Sequence, residues 1–143
     1  MEYGEQLVNA STAVKILAVG VVLVVVVAGT FAGLTFPRAV VDFSVSFPVG
    51  VDIQQEEFEV PVLHDKVQVE VIVTNGSSLW RAFIKNDAAA EFWSHSATQG
   101  EQQTYHSDWI PLESGRYNFT FAKLNPNSTL DASIKVISKG GFW

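Results

Sequence analysis

Three histidines, His64, His95 and His106, are the side chains best suited to metal or acid–base chemistry near neutral pH. His64 stands beside Asp65 in a short polar break that reads as a turn, where an imidazole is ordinarily solvated. His95 and His106 each neighbour a tryptophan, Trp93 and Trp109, and Asp108 shares strand parity with His106. If the two segments pair, His95, His106 and Asp108 converge on a metal, since imidazole and carboxylate together suit zinc and related ions. No His-x-His or His-x-x-x-His spacing fixes that pairing, so no metal and no cofactor is expected. The acids Asp52, Glu56, Glu57 and Glu59 form the densest charge cluster. A hydrolase working with paired carboxylates needs two acids at a defined separation in a cleft. Here they alternate with Phe58 and Val60, as on the wet face of a strand. No Gly-x-Ser-x-Gly elbow, phosphate-cradling glycine loop or zincin motif occurs. With no cysteine either, disulfide scaffolds, thiolate zinc sites and cysteine nucleophiles are excluded. Catalysis is not expected.

The aromatics point to binding. Trp80, Trp93, Trp109 and Trp143, with Tyr105 and Phe92, concentrate in the less regular middle of the chain and near residue 143. Most such rings fill a core or cap its ends. The alternative is an exposed patch that docks a protein, because tryptophan and tyrosine dominate interface hot spots. Trp80, Trp93, Tyr105, Trp109, Phe142 and Trp143 are therefore the candidate partner-binding residues. Phe142 and Trp143, after two glycines, are the best placed, and they also suit a lipid interface.

These residues are carried by a chain of 143 residues with net charge -6. The acidic balance argues against nucleic acid, whose binders need a basic stripe. Ile16 to Pro37 contains no charge, and Val19 to Val27 is apolar apart from Gly20. As a helix this stretch reaches roughly 33 Å, enough to cross a bilayer core of about 30 Å. The expected organisation is a polar leader over 1–15, a transmembrane signal-anchor over 16–37 and one domain over 38–143. The apolar run is longer than the 7–15 or so residues of a signal peptide, and the leader opens with acids where a signal peptide prefers bases. Thr30 and Ala32 nevertheless make a passable cleavage pair before Gly33. Gly29 and Gly33 form a Gly-x-x-x-Gly pair that lets two helices approach closely, for self-association or packing on a partner helix.

Lys15 precedes the span and Arg38 follows it, so charge leaves the orientation balanced. The sequons at Asn75, Asn118 and Asn127 all lie beyond the span, which favours a head outside the cytoplasm with these asparagines as glycosylation candidates.

After Arg38 the hydrophobic pattern changes to strict alternation, the signature of strands with one wet face. It runs through Val41 to Phe47, Phe58 to Val62, Val67 to Val73, Leu79 to Lys85, Tyr117 to Phe121 and Leu130 to Val136. His64 to Lys66 reads as a hairpin between two of these runs, Asn75-Gly76 as a turn, and Asp87 to Glu91 as one helical turn packed down by Phe92 and Trp93. Gln102 to Leu112 looks extended. Seven or eight short strands with regular turn signals predict an antiparallel β-sandwich of immunoglobulin-like type, with no helix long enough for a parallel α/β fold.

The block Glu113-Ser114-Gly115-Arg116-Tyr117-Asn118-Phe119-Thr120-Phe121, the asparagine-rich turn and the strand Ala132 to Ile137 resemble the carboxy-terminal half of GOLD-type (Golgi dynamics) β-sandwich domains. Phe58 to Leu63, Val67 to Val73 and Leu79 to Lys85 resemble the same family's opening strands, so the resemblance covers about residues 57–138. It implies a sandwich that binds protein. The family's cargo receptors carry a carboxy-terminal span, a coat-binding tail and a cysteine pair, none of which this chain shares, so that role is not implied.

The expected function is that of a membrane-anchored, non-catalytic accessory or scaffolding subunit of a membrane or envelope assembly, with protein partners and the bilayer through 16–37. A pilin- or archaellum-like filament protein is the second expectation. A metal-binding or enzymatic domain using His95, His106 and Asp108 is the third.

Overall fold

A computed structural model of the chain describes residues 2–76, 79–97, 103–141 and 143, with backbone alone for 2–10. It divides into two compact units, Met1–Leu34 and Thr35–Trp143. The first is built on α1, Glu2–Thr35. Within α1, Ser11–Thr35 is long enough to cross a membrane, and its most apolar 18-residue window has mean hydropathy 2.7 with none of that window buried. A helix satisfies its own backbone hydrogen bonds, which makes it a stable form for so apolar a segment in hydrocarbon. A Cβ added at Gly29 or Gly33 would meet nothing within 4 Å, so both present open helix surface.

The second unit contains nine described strands: β1 Arg38–Phe47, β2 Ile53–Val60, β3 Lys66–Gly76, β4 Trp80–Asn86, β5 Glu91–Ala97, β6 Thr104–His106, β7 Ile110–Pro111, β8 Gly115–Lys123 and β9 Leu130–Lys139. They form two antiparallel sheets. One runs β1-β9-β3-β6, with β7 also on β3, and the other runs β2-β8-β4-β5. Alternation decides which side chains meet between them. Val67, Val69, Val71 and Val73 on β3 lie beside Leu130, Ala132, Ile134 and Val136 on β9, all buried. Facing them are Tyr117, Phe119 and Phe121 on β8 with Trp80, Ala82 and Ile84 on β4. Phe47 from β1 stacks on Phe121 at 6.0 Å between ring centres, joining the two layers. β-Branched and aromatic side chains suit such a pleated, enclosed surface.

The sandwich is as the alternation implies, and three local features differ from the sequence reading. Asp87 to Glu91 forms no helical turn; it is the tight reversal of the β4–β5 hairpin. Asn86 N–H donates to Ala90 O at 3.0 Å, Ala89 N–H to Asn86 O at 3.0 Å, and Ala90 N–H to the Asn86 side chain at 2.9 Å. One isolated turn cannot offset the cost of helix nucleation, whereas the adjoining strand pairing secures the reversal. His64 to Lys66 is likewise no hairpin, because β2 and β3 belong to different sheets. The chain crosses between layers there, with Leu63 at φ 70. That crossing carries His64 inward instead of into solvent: it is 3% exposed, and its Nδ1 lies 2.8 Å from the hydroxyl of buried Ser138. A buried imidazole is tolerated when hydrogen-bonded.

At the end of the sandwich carrying the β1–β2 and β8–β9 turns, Lys123 is buried and aims inward. Its ammonium donates to Pro48 O at 2.9 Å and Ser128 O at 2.6 Å, and lies 3.6 Å from Asp52 Oδ1. One lysine thus ties both turns together and faces an acid whose buried Oδ1 accepts no hydrogen bond in the described structure, only this ionic contact. Lys123→Met should lower the unfolding free energy by about 2–4 kcal/mol, because two carbonyls and a carboxylate lose their cation. Asp131→Ala removes only an exposed 2.6 Å bond from Ser46 and should cost about 1 kcal/mol or less. Denaturant unfolding followed by tryptophan fluorescence reads both.

Candidate functional site

Three of the sequence-selected aromatics, Trp80, Trp93 and Tyr105, meet along one flank. β5 pairs with β4 in the register Ala82↔His95 and Ile84↔Trp93, so His95 and Trp93 take the inward parity of an edge strand. β6 pairs with β3 at Val71↔Tyr105, which turns Tyr105 inward from the opposite sheet. The Tyr105 ring stacks on His95 at 4.0 Å and 17° and lies 5.5 Å from Trp80 and 6.5 Å from Trp93. Trp80, 2% exposed, continues into the core against Phe121. Trp93, His95 and Tyr105 are half-buried, and they close the side of the sandwich where two sheet edges face each other. Flat rings fill such a gap while leaving part of their surface exposed.

His106 has the opposite parity. It is exposed, with Nδ1 3.5 Å from Glu70 on β3, and Asp108 is an exposed loop residue. His95 and His106 therefore lie on different faces, and no group of three or more histidine, aspartate or glutamate side chains capable of holding a metal occurs among the described residues.

Trp109 and Trp143 sit elsewhere, at the end of the sandwich where β1 begins. Lys139 Nζ lies 3.9 Å from the centre of the Trp109 ring, a cation–π contact. Trp143 donates its indole N–H to the Thr35 hydroxyl at 3.0 Å and meets the Phe36 ring edge-on at 5.3 Å. Gly140 N–H donates to Thr35 O at 2.9 Å, and Thr35 is 1% exposed. A Cβ at Gly140 would fall 2.5 Å from the Thr35 side chain and 2.7 Å from Leu63 O, so only glycine allows this approach. Phe142 lies outside the described residues. Of the sequons, Asn75 and Asn127 are exposed at the opposite end, while Asn118 is half-buried on β8 between Glu57 and Lys85.

One feature escaped the sequence reading. An open pocket of about 560 Å³ lies at the end where β1 begins, lined among others by Asp65, Asn86, Phe92, Glu113, Arg116 and Tyr117. It is supplied by the β2–β3 crossover, the β7–β8 turn and the strand ends that flank the β4–β5 and β7–β8 turns. Its one sequence signal is the turn Glu113 to Tyr117, which places an acid, a guanidinium and a phenol within five residues. Phe92 meets Tyr117 edge-on at 5.5 Å and 90°, and Tyr117 in turn stacks on Phe58 at 5.8 Å. The Tyr117 hydroxyl donates to Glu113 O at 2.8 Å. Burial, and secondarily the Glu113 charge, push the Tyr117 phenol above its ordinary value of 10.0.

No family model matches the chain, and no curated protein matches it in sequence. Solved structures do match in shape. The pre-peptidase C-terminal domain of a collagenase from Bacillus anthracis aligns with TM-score 0.54 at 11% identity, over 68% of this chain and 88% of that one. PliG, a periplasmic inhibitor of g-type lysozyme from Aeromonas hydrophila, aligns at 0.45 with 13% identity, over 71% and 87%. A fucose-binding module from Streptococcus pneumoniae aligns at 0.44 with 9% identity, over 65% and 70%. The first of these shows the β-sandwich fold and nothing narrower. The GOLD-type resemblance stays one of strand pattern.

Because the folded state holds the Tyr117 proton more tightly, the stability this residue supplies is complete below the unfolded value of about 10 and is lost as pH rises through the folded value. In ultraviolet titration Tyr117 should ionise above an unperturbed tyrosine. Tyr117→Phe should flatten the alkaline loss of stability and cost about 1 kcal/mol at neutral pH.

Proposed function

We propose that this chain is a single-pass membrane protein whose β-sandwich head, outside the cytoplasm, binds a partner without catalysing a reaction, as an accessory or scaffolding subunit of a membrane or envelope assembly. The observation that carries the reading is the segment Ser11–Thr35, whose most apolar 18-residue window is wholly unburied, joined in sequence to a head with its own closed core. In water that exposed surface would be far larger than soluble monomers tolerate. Exposed Asn75 and Asn127 support a compartment where sequons are read. The half-buried flank of Trp93, His95 and Tyr105 supports protein recognition, since partly exposed, well-supported rings make good anchors.

The test uses native membranes. The full chain should stay with the pellet after alkaline carbonate washing, protease added to intact cells should digest the head, and crosslinking should join it to a defined set of membrane or surface proteins. Intact mass should retain residues 1–15, which a processed filament subunit would lose. A chain released by carbonate, or one purified from detergent as a monodisperse monomer without partners, would overturn the reading.

A further inference from the structure

The pocket at the β1 end has a composition that selects among ligand chemistries, and its size lies within the roughly 300–1,000 Å³ range of small-molecule sites. Asp65 and Glu113 bring carboxylates, which only accept hydrogen bonds when ionised. Arg116 brings a guanidinium, which only donates. Asn86 has committed its side-chain oxygen to Ala90 N–H at 2.9 Å, leaving its amide hydrogens as donors. The Tyr117 hydroxyl is engaged by Glu113 O, so this residue offers ring surface alone. Phe92 stands perpendicular to that ring and is 46% exposed, which leaves aromatic surface open to a ligand.

An amine would need acceptors and leave the guanidinium repelled. A phosphate would need donors and meet two carboxylates. A purely apolar ligand would strand the charges. A sugar hydroxyl donates and accepts at once, and the weakly positive C–H edges of a pyranose suit the negative face of an aromatic ring. Arg116 is available for the exchange: its contact with Glu57 is 3.9 Å long, with side chains 69% and 61% exposed. Such an exposed pair contributes little that a ligand would have to replace.

We propose that this pocket binds a neutral saccharide, with the sugar ring on Phe92 and its hydroxyls shared between the Asp65 and Glu113 carboxylates and the N–H groups of Arg116 and Asn86. This rests on the reading of the head as a binding domain and names the ligand of one of its surfaces.

The test takes the full chain in a zwitterionic detergent without a sugar headgroup. Saturation-transfer NMR with methyl glycosides of glucose, galactose, mannose, fucose and N-acetylglucosamine should show transfer to the ring C–H protons of at least one. For that sugar, Phe92→Ala and Arg116→Met should each weaken binding about tenfold or more. Both positions are exposed enough for the variants to fold, which an unchanged tryptophan spectrum checks. Binding to vesicles carrying the matching glycolipid, compared with the free glycoside, distinguishes a lipid headgroup from a soluble sugar as the source. No transfer with any glycoside, equal binding by both variants, or binding of tetramethylammonium or inorganic phosphate in place of sugar would each overturn the proposal. Partner crosslinking in native membranes is read separately, so an empty pocket on a chain that still recruits its partners fails this site alone. Turnover of an aryl glycoside would support the site and refute the non-catalytic reading.

Discussion

The register between β3 and β9 governs the head. Val69 lies opposite Val136 and Val71 opposite Ile134, and β9 carries the same alternation across to β1 through Ile134 and Phe43. Side chains on a strand alternate with a period of two, so a slip of one residue would turn every inward valine to water. Three adjacent strands share this constraint, and the aromatic layer of β8 and β4 can pack only against the face it creates. The turns, the buried lysine and the pocket are attached to a frame fixed by that pairing.

Much of this frame is legible in the sequence because it is local and periodic. The valines of β3 and the apolar residues of β9 announce their faces, and the run through Val19 to Val27 announces its helix. What stays hidden is which strand neighbours which. His64, Asp65 and Lys66 look like any polar turn, and only the assignment of β2 and β3 to separate sheets makes the segment a crossover and draws His64 inward. The reversal at Asp87 to Glu91 was obscured in the same way, because three alanines favour helix until strand pairing overrides them. Among the candidate site residues, the aromatics were selected by type and the structure then sorted them by depth. Trp80 went to the core, while Trp93 and Tyr105 came to the flank with His95, on the same strand as Trp93, stacked on Tyr105. The pocket drew on three separated parts of the chain, and no single stretch of sequence could reveal it.

The two ends of the sandwich are chemically unlike. The end bearing the β8–β9 turn is held by Lys123 and displays Asn75 and Asn127. The other gathers the acids, the guanidinium and the aromatic surface of the pocket. This division follows from topology: strands of an antiparallel sandwich deliver successive connections to opposite ends, so residues far apart in sequence become neighbours without disturbing the core.

The hold on Thr35 has a mechanical consequence. Residue 35 joins the helix to the head, and Gly140 and Trp143 grip it from beyond β9 while β9 also pairs along nearly all of β1. Tension transmitted along the backbone at this residue therefore meets the grip before it reaches the first rung of the β1–β9 ladder. Load passes early into β9, which is a central strand, instead of peeling β1 from the edge of its sheet. Force entering at residue 35 would thus be shared by the middle of a sheet before it could strip an outer strand.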